Sequence, residues 1–134
     1  MDNCIFCHQL KEEQLLLQTR CFKVVFDIDP IQDGHLLIIS NKHRLNLTEL
    51  TDEELIELIR LEQLIVQLIE EQFEVQGVTI ASNNGAAMDP DTHFHVHVIP
   101  RYKEDGFWER VQVNVRQIAR AKLAVLVNDL AEKL

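Results

Sequence analysis

Three histidines alternate with apolar residues in the run His93-Phe94-His95-Val96-His97-Val98-Ile99. In an extended strand alternate side chains share a face, so the imidazoles form a row while Phe94, Val96 and Val98 turn into a core. At a rise of about 3.3 Å per residue, neighbours in the row are about 6.6 Å apart at Cα and its ends about 13 Å apart. With Zn–N bonds of about 2.0 Å, one metal can take two adjacent members but hardly all three. The row therefore divides its labour, one end being available to a metal and the rest to proton transfer or nucleophilic attack. Neutral imidazole is a good nucleophile near pH 7 and departs readily once protonated, so its attack on phosphorus splits one difficult displacement into two easier ones. A lone histidine on a strand is ordinarily polar surface. Three in strict alternation, behind a loop containing Asn83, Asn84, Gly85 and Pro90, call for another explanation.

The surrounding chain must hold that row. Cys21 to Phe26 and Gly34 to Ile39 are β-prone runs, and the stretch from Asp27 to Asp33, with Pro30 inside it, makes a hairpin turn between them. From Thr51 to Phe73 the pattern is helical, opening on the capping box Thr51-Asp52-Glu53-Glu54. Leu58, Leu61, Ile65 and Leu68 form one stripe of this helix, and Ile59, Val66, Ile69 and Phe73 a second beside it. A face this wide either meets a partner subunit or belongs to a central helix buried within the monomer. Two further strands are expected at Gly77 to Ser82 and Thr92 to Pro100, and a C-terminal helix from about Asn114 to Leu134. The fold class is α+β, with a mainly antiparallel sheet of about five strands, a long central helix and a C-terminal helix.

Composition bounds the function. The 134 residues, 46% hydrophobic and without repeats or low-complexity tracts, read as one domain over residues 1–134. Thirteen basic against 22 acidic side chains give a formal charge of −9, which opposes long-range attraction to nucleic acid or an anionic membrane. Any bound phosphate must be held locally. No apolar stretch is long enough to cross a bilayer, and the start Met1-Asp2-Asn3-Cys4 lacks the marks of a secretion signal, so a cytoplasmic location is expected. Three cysteines in a reducing compartment make a disulfide framework a poor reading and metal binding the first question. Cys21, alone in an apolar run, is a small hydrophobe, and His8 reads as surface.

The triad run resembles the motif of the histidine-triad (HIT) superfamily, His-φ-His-φ-His-φ-φ with φ apolar, at every position. The likeness extends to Cys4-Ile5-Phe6-Cys7, to Phe26-Asp27-Ile28-Asp29-Pro30, and to Gly34-His35-Leu36-Leu37-Ile38-Ile39 with Lys42-His43, and so covers about residues 4 to 101. The resemblance implies a purine nucleotide hydrolase or transferase, a homodimer whose sheet continues across both subunits, and a role for each matched residue. His95 would form a covalent nucleotidyl intermediate on the α-phosphate, His97 would contact phosphate and relay protons, and His35 would orient it from the neighbouring strand. Asp27 would hold the ribose hydroxyls, a carboxylate being able to accept two hydrogen bonds from a cis-diol; its other reading is a turn-capping aspartate. Ile5, Phe6, Val25, Phe26 and Ile28 would wall the base site, and Asn83 would help position the nucleotide.

Many relatives carry Gly-Gln-Ser/Thr before the triad, where this chain has Met88-Asp89-Pro90-Asp91-Thr92. Thr92 is the substitute phosphate donor, while Asp89 and Asp91 oppose an anion unless they point away or bind something positive. Cys4 and Cys7 have the spacing that brings two thiolates to one tetrahedral ion, which His43 and His93 would complete as a structural zinc site. A redox dithiol is the competing reading, but such a pair normally sits at a strand-to-helix turn, and no strand is legible ahead of Cys4. Arg101 and Lys103 are either local positive charge for the phosphate or solvated surface, and Trp108 belongs either to a dimer contact or near the leaving group. Beside the nucleotidyl hydrolase stand two alternatives: a nucleotide- or partner-binding module with little turnover, and a zinc hydrolase, which four available ligands argue against.

Overall fold

The computed structural model describes residues 3–134. Five strands, β1 (Leu15–Gln18), β2 (Phe22–Phe26), β3 (Leu36–Ser40), β4 (Gly77–Ser82) and β5 (His95–Arg101), form one antiparallel sheet in the order β1-β2-β3-β5-β4. Three α-helices accompany it: α1 (Ile5–His8), α2 (Asp52–Gln72) and α3 (Arg120–Lys133). The α+β class and the antiparallel sheet agree with the sequence reading.

The register explains how the sheet builds a site. β2 and β3 pair with Val25 opposite Leu37, and β3 and β5 pair with Leu37 opposite His97 and Ile39 opposite His95. Val25, Leu37 and Ile39 therefore share the histidine face. That face is covered by the N-terminal segment, with Cys4 and Phe6 packed on those three residues. The other face carries Phe22, Val24, Ile38, Phe94, Val96 and Val98 against Leu58, Leu61 and Ile69 of α2. With both faces covered, His93 and His95 are buried although they are polar.

Helix α2 begins where the capping box places it. Glu54 N–H donates to Thr51 Oγ1 (3.2 Å), and Thr51 N–H donates to a Glu54 carboxylate oxygen (2.9 Å). The same buried carboxylate receives Arg44 (2.9 Å), which fixes the loop carrying His43. The stripe facing the sheet differs from the expected one. Leu58, Leu61, Ile65 and Ile69 pack inward, while Leu68 stands 40% exposed; on a helix of 3.6 residues per turn the fourth contact falls at Ile69. Ile59 and Phe73 of the second stripe are also exposed, so the single chain does not bury α2 on all sides.

Three boundaries differ from expectation. Strand β1 was not legible, because Leu15-Leu16-Leu17-Gln18 does not alternate; a register shift between Leu15 and Leu17 accommodates this edge strand. β5 begins at His95, His93 and Phe94 being in the approach to it. α3 begins at Arg120 rather than about Asn114, since residues 111–118 alternate Val111, Val113 and Val115 with polar side chains, a pattern for extended chain. None of α3 is buried.

Candidate active site and metal centre

Each triad histidine has one ring nitrogen held by a neighbour, a backbone carbonyl for His93 and His95 and the His35 ring for His97, and that contact selects its tautomer. His95 Nδ1–H donates to the carbonyl oxygen of His93 at 2.7 Å, which leaves the lone pair on Nε2. His93 Nε2–H donates to Ser40 O at 2.7 Å, which leaves its lone pair on Nδ1. His97 is set from a distance: Ile31 N–H donates to His35 Nδ1 (3.1 Å), so His35 carries its hydrogen on Nε2 and gives it to His97 Nδ1 (2.9 Å). His97 then holds its own hydrogen on Nε2. Neither Nε2, of His95 or of His97, has another partner among the described residues.

Those two side chains line one cavity of about 280 Å³. Ile5, Phe6, Val25, Phe26, Asp27, Ile28 and Thr92, singled out in the sequence, line it too, joined by Gln9, Leu10, Gln14, Leu37 and Asp89. Two larger cavities, of about 480 and 520 Å³, contain no histidine, and chemistry singles out the smaller one. It has an apolar end and a histidine–carboxylate end, with no lysine or arginine in its wall.

Asp27 divides its oxygens. Oδ1 accepts from Asp29 N–H at 2.8 Å, the turn-capping contact, while Oδ2 lies 3.4 Å from His35 Nε2 and 3.9 Å from His97 Nδ1. Burial pushes the His97 pKa down to about 4, and the nearby His95 and His35 add to this, against Asp27 and Asp89. Burial likewise lowers His35, partly offset by Asp27. Both rings are therefore neutral near pH 7. Asp27, His35 and His97 also converge closely enough to suggest a metal triad, but the Ile31 contact keeps a hydrogen on His35 Nε2, the atom such a metal would need.

The stretch before the triad differs from expectation in detail. Thr92 lines the cavity, yet its hydroxyl donates to Asp89 O at 2.6 Å, so its hydrogen is already engaged. Asp89 faces the cavity and Asp91 does not line it; Asp91 instead adopts a left-handed φ of 62° and offers its carbonyl to Ile5 N–H at 2.7 Å. Asn83 is exposed and outside the cavity wall, while its neighbour Asn84 accepts from Leu47 N–H. Arg101 is not free for phosphate. Asp105 holds it through two contacts of 2.7 and 2.8 Å, and Phe107 lies under its guanidinium. Trp108 is exposed and packs edge-on to Phe107.

Behind the triad, Cys4, Cys7, His43 and His93 place one donor atom each within 4.8 Å of the others. Cys4 Sγ and Cys7 Sγ lie 3.2 and 3.5 Å from His93 Nδ1, and Cys7 Sγ lies 3.2 Å from His43 Nδ1. Tetrahedral zinc with Zn–S of about 2.3 Å and Zn–N of about 2.0 Å separates S and N ligands by about 3.5 Å. The set thus fits with little movement, and the Ser40 contact already turns the His93 lone pair toward it. Burial and the adjacent Cys4 thiol push the Cys7 thiol up, a penalty that a dication would reverse. Four convergent donors leave little room for a metal-bound water.

Of the residues lining the cavity, sequence reasoning missed Gln9, Leu10, Gln14, Leu37 and the inward turn of Asp89. Leu37 follows from the β3–β5 register; the glutamines follow only from the path of the N-terminal segment.

A family model described as HIT domain matches residues 9–104. The chain is 32% identical over 111 residues to Protein hit of Bacillus subtilis, covering 79% of this chain and 77% of the relative. It is 29% identical over 97 residues to a bis(5'-adenosyl)-triphosphatase of Dictyostelium discoideum, covering 72% of this chain and 65% of that protein. Among solved structures, a zinc-bound histidine triad family protein from Mycobacterium smegmatis superposes with a TM-score of 0.66 at 27% identity, covering 94% of this chain and 96% of that one.

Proposed function

The chain belongs to the HIT family, and from that premise we propose that it is a nucleotide hydrolase in which His95 attacks the α-phosphate of a purine nucleotide, dinucleoside polyphosphates fitting best and nucleoside phosphoramidates next. The observation that carries this reading is a pair of open nitrogens on one cavity, bare on His95 and protonated on His97.

In the first step the His95 Nε2 lone pair forms the P–N bond while the P–O bond of the anhydride breaks, its electron pair leaving with the departing nucleotide. The His97 Nε2–H hydrogen-bonds to a phosphoryl or leaving oxygen. A neutral His97 with a pKa of about 4 gives a hydrogen bond rather than a proton. That suits a leaving nucleotide, which departs as an anion, better than an amine, which must be protonated. In the second step water attacks phosphorus, the P–N bond breaks with its pair returning to Nε2, and the water proton passes to solvent. Asp27 Oδ2 receives the ribose hydroxyls, and the apolar wall from Ile5 to Ile28 receives the base. Cys4, Cys7, His43 and His93 would hold zinc, which supplies cross-linking of the N-terminus to the triad strand; the related zinc-bound structure supports this.

The absence of a cationic side chain from the cavity wall, with Asp89 inside it, favours a second reading, a nucleotide-binding module with little turnover. Incubation with dinucleoside polyphosphates and nucleoside phosphoramidates, followed by mass spectrometry for a nucleotidyl adduct, separates the two: adduct and product support the hydrolase, and tight binding with neither supports the module. The acidic chain is not read as a binder of nucleic acid or membrane. It is read as a cytoplasmic homodimer, since β4 lies at a sheet edge and Ile56 and Ile59 of α2 are exposed. A monomeric mass in sedimentation equilibrium would rule the dimer out.

A further inference from the structure

We propose that the Cys4/Cys7/His43/His93 donor set and the nucleotide cavity are thermodynamically coupled sites, with Phe6 as the positioning residue that joins them. The inference rests on reading the histidine cavity as a nucleotide site.

Helix α1 is only four residues long and has no side-chain cap, too short to hold its shape unaided. Cys4, which precedes its first residue, and Cys7 within it belong to the donor set, and between them Ile5 and Phe6 form part of the cavity wall. One short segment thus carries two of the four donors and two neighbouring residues of the cavity wall. Phe6 sets its ring edge-on against two histidines, 5.5 Å from His93 in the donor set and 5.0 Å from His95 in the cavity. The backbone repeats the link, since the residue whose ring enters the donor set is the one whose carbonyl holds His95 Nδ1–H.

Few other contacts keep α1 in place. Ile5 N–H reaches Asp91 O, and Cys4 and Phe6 rest on Val25, Leu37 and Ile39. A metal held by both cysteines clamps α1 against the triad strand and so fixes Phe6 against His95 before a nucleotide arrives. A nucleotide packed on Ile5 and Phe6 likewise holds the cysteines where the metal needs them. Linkage requires the two effects to be equal: the factor by which zinc tightens nucleotide is the factor by which nucleotide tightens zinc. Couplings of this kind typically fall at about 5- to 150-fold, and for one short helix about tenfold is expected.

The test uses AMP as the nucleotide, so that no turnover is needed. Its affinity for the full chain is measured by calorimetry with zinc loaded and after chelation, circular dichroism showing that the chelated chain is folded. Zinc affinity is measured against a chromophoric chelator with and without AMP. Each is expected to change about tenfold and by the same factor. Phe6→Ala should keep binding zinc while the factor falls toward one. If chelation unfolds the chain, the cobalt-substituted protein serves instead: AMP should shift its visible absorption bands, and Phe6→Ala should remove that shift. Equal AMP affinity with and without zinc, a coupling that survives in Phe6→Ala, or a cobalt spectrum indifferent to AMP overturns the coupling and leaves the nucleotide site standing. AMP binding in neither form overturns the nucleotide reading itself, and this inference with it.

Discussion

His35 Nε2 lies 2.9 Å from His97 Nδ1, and the backbone N–H of Ile31 on the far side of the His35 ring decides which nitrogen carries the hydrogen. A contact of 3.1 Å in a hairpin turn thereby presents His97 to the cavity as a donor. The roles of His97 and His95 differ because a neighbour's ring holds one and a carbonyl holds the other.

Replacing His35 should therefore damage catalysis without touching the nucleotide. His35→Phe is expected to lower kcat by about 10²-fold, the scale of a misplaced catalytic group, with KM changed far less. His35→Gln, whose amide can still donate to His97, should recover part of the loss. A KM effect as large as the kcat effect would place His35 in binding instead.

His95→Ala should lose the nucleotidyl adduct altogether, with turnover falling by about 10⁴-fold or more, as for other removed nucleophiles. Mass spectrometry of the quenched enzyme reads this directly. Wild-type turnover in that variant would assign the nucleophile elsewhere.

The low pKa of His97 predicts how stability responds to acid. The folded value of about 4 lies below the ordinary 6.5, so between these pH values the unfolded chain binds protons that the fold excludes. This contribution is fully present above about pH 6.5 and is lost as pH falls toward about 4. Urea midpoints at pH 7 and pH 5 should fall less in His97→Gln than in the wild type. Parallel declines would show that His97 does not carry the effect.

Purified protein should contain about one zinc per chain, and Cys4→Ser should lose most of it. Removal of an outer partner weakens metal sites by about 10- to 100-fold, so loss of a thiolate should exceed that. Plasma emission spectrometry after gel filtration measures the content, and full zinc in Cys4→Ser would exclude this donor set.

Phe94, fully buried on the α2 side of the sheet, lies between two histidines in sequence and away from their chemistry in space. Phe94→Ala should destabilise the chain by about 3–5 kcal/mol, the usual range for an emptied core phenylalanine, as read by urea denaturation.

Much of this was legible beforehand because it is local. Alternation placed His95 and His97 on one face, the Thr51–Glu54 box set the start of α2 to the residue, and the Cys4–Cys7 spacing singled out half of a donor set that could hold a metal. Local pattern failed where it was weak or competed with another. Leu15 to Gln18 has no alternation to reveal an edge strand, and the stretch with valines at 111, 113 and 115, expected to be helical from about Asn114, enters a helix only at Arg120.

By itself, then, the sequence determined which side chains form the row, which residues suit a metal, and that the chain is α+β. The tertiary structure decided what each histidine presents to the cavity. A tautomer depends on whichever carbonyl or N–H meets the ring, and those partners, His93 O, Ser40 O and Ile31 N–H by way of His35, come from the β3–β5 register and the hairpin turn. It also turned Asp89 inward and left Asn83 outside the cavity wall, because the path of a loop follows from its anchors, which residue spacing does not record.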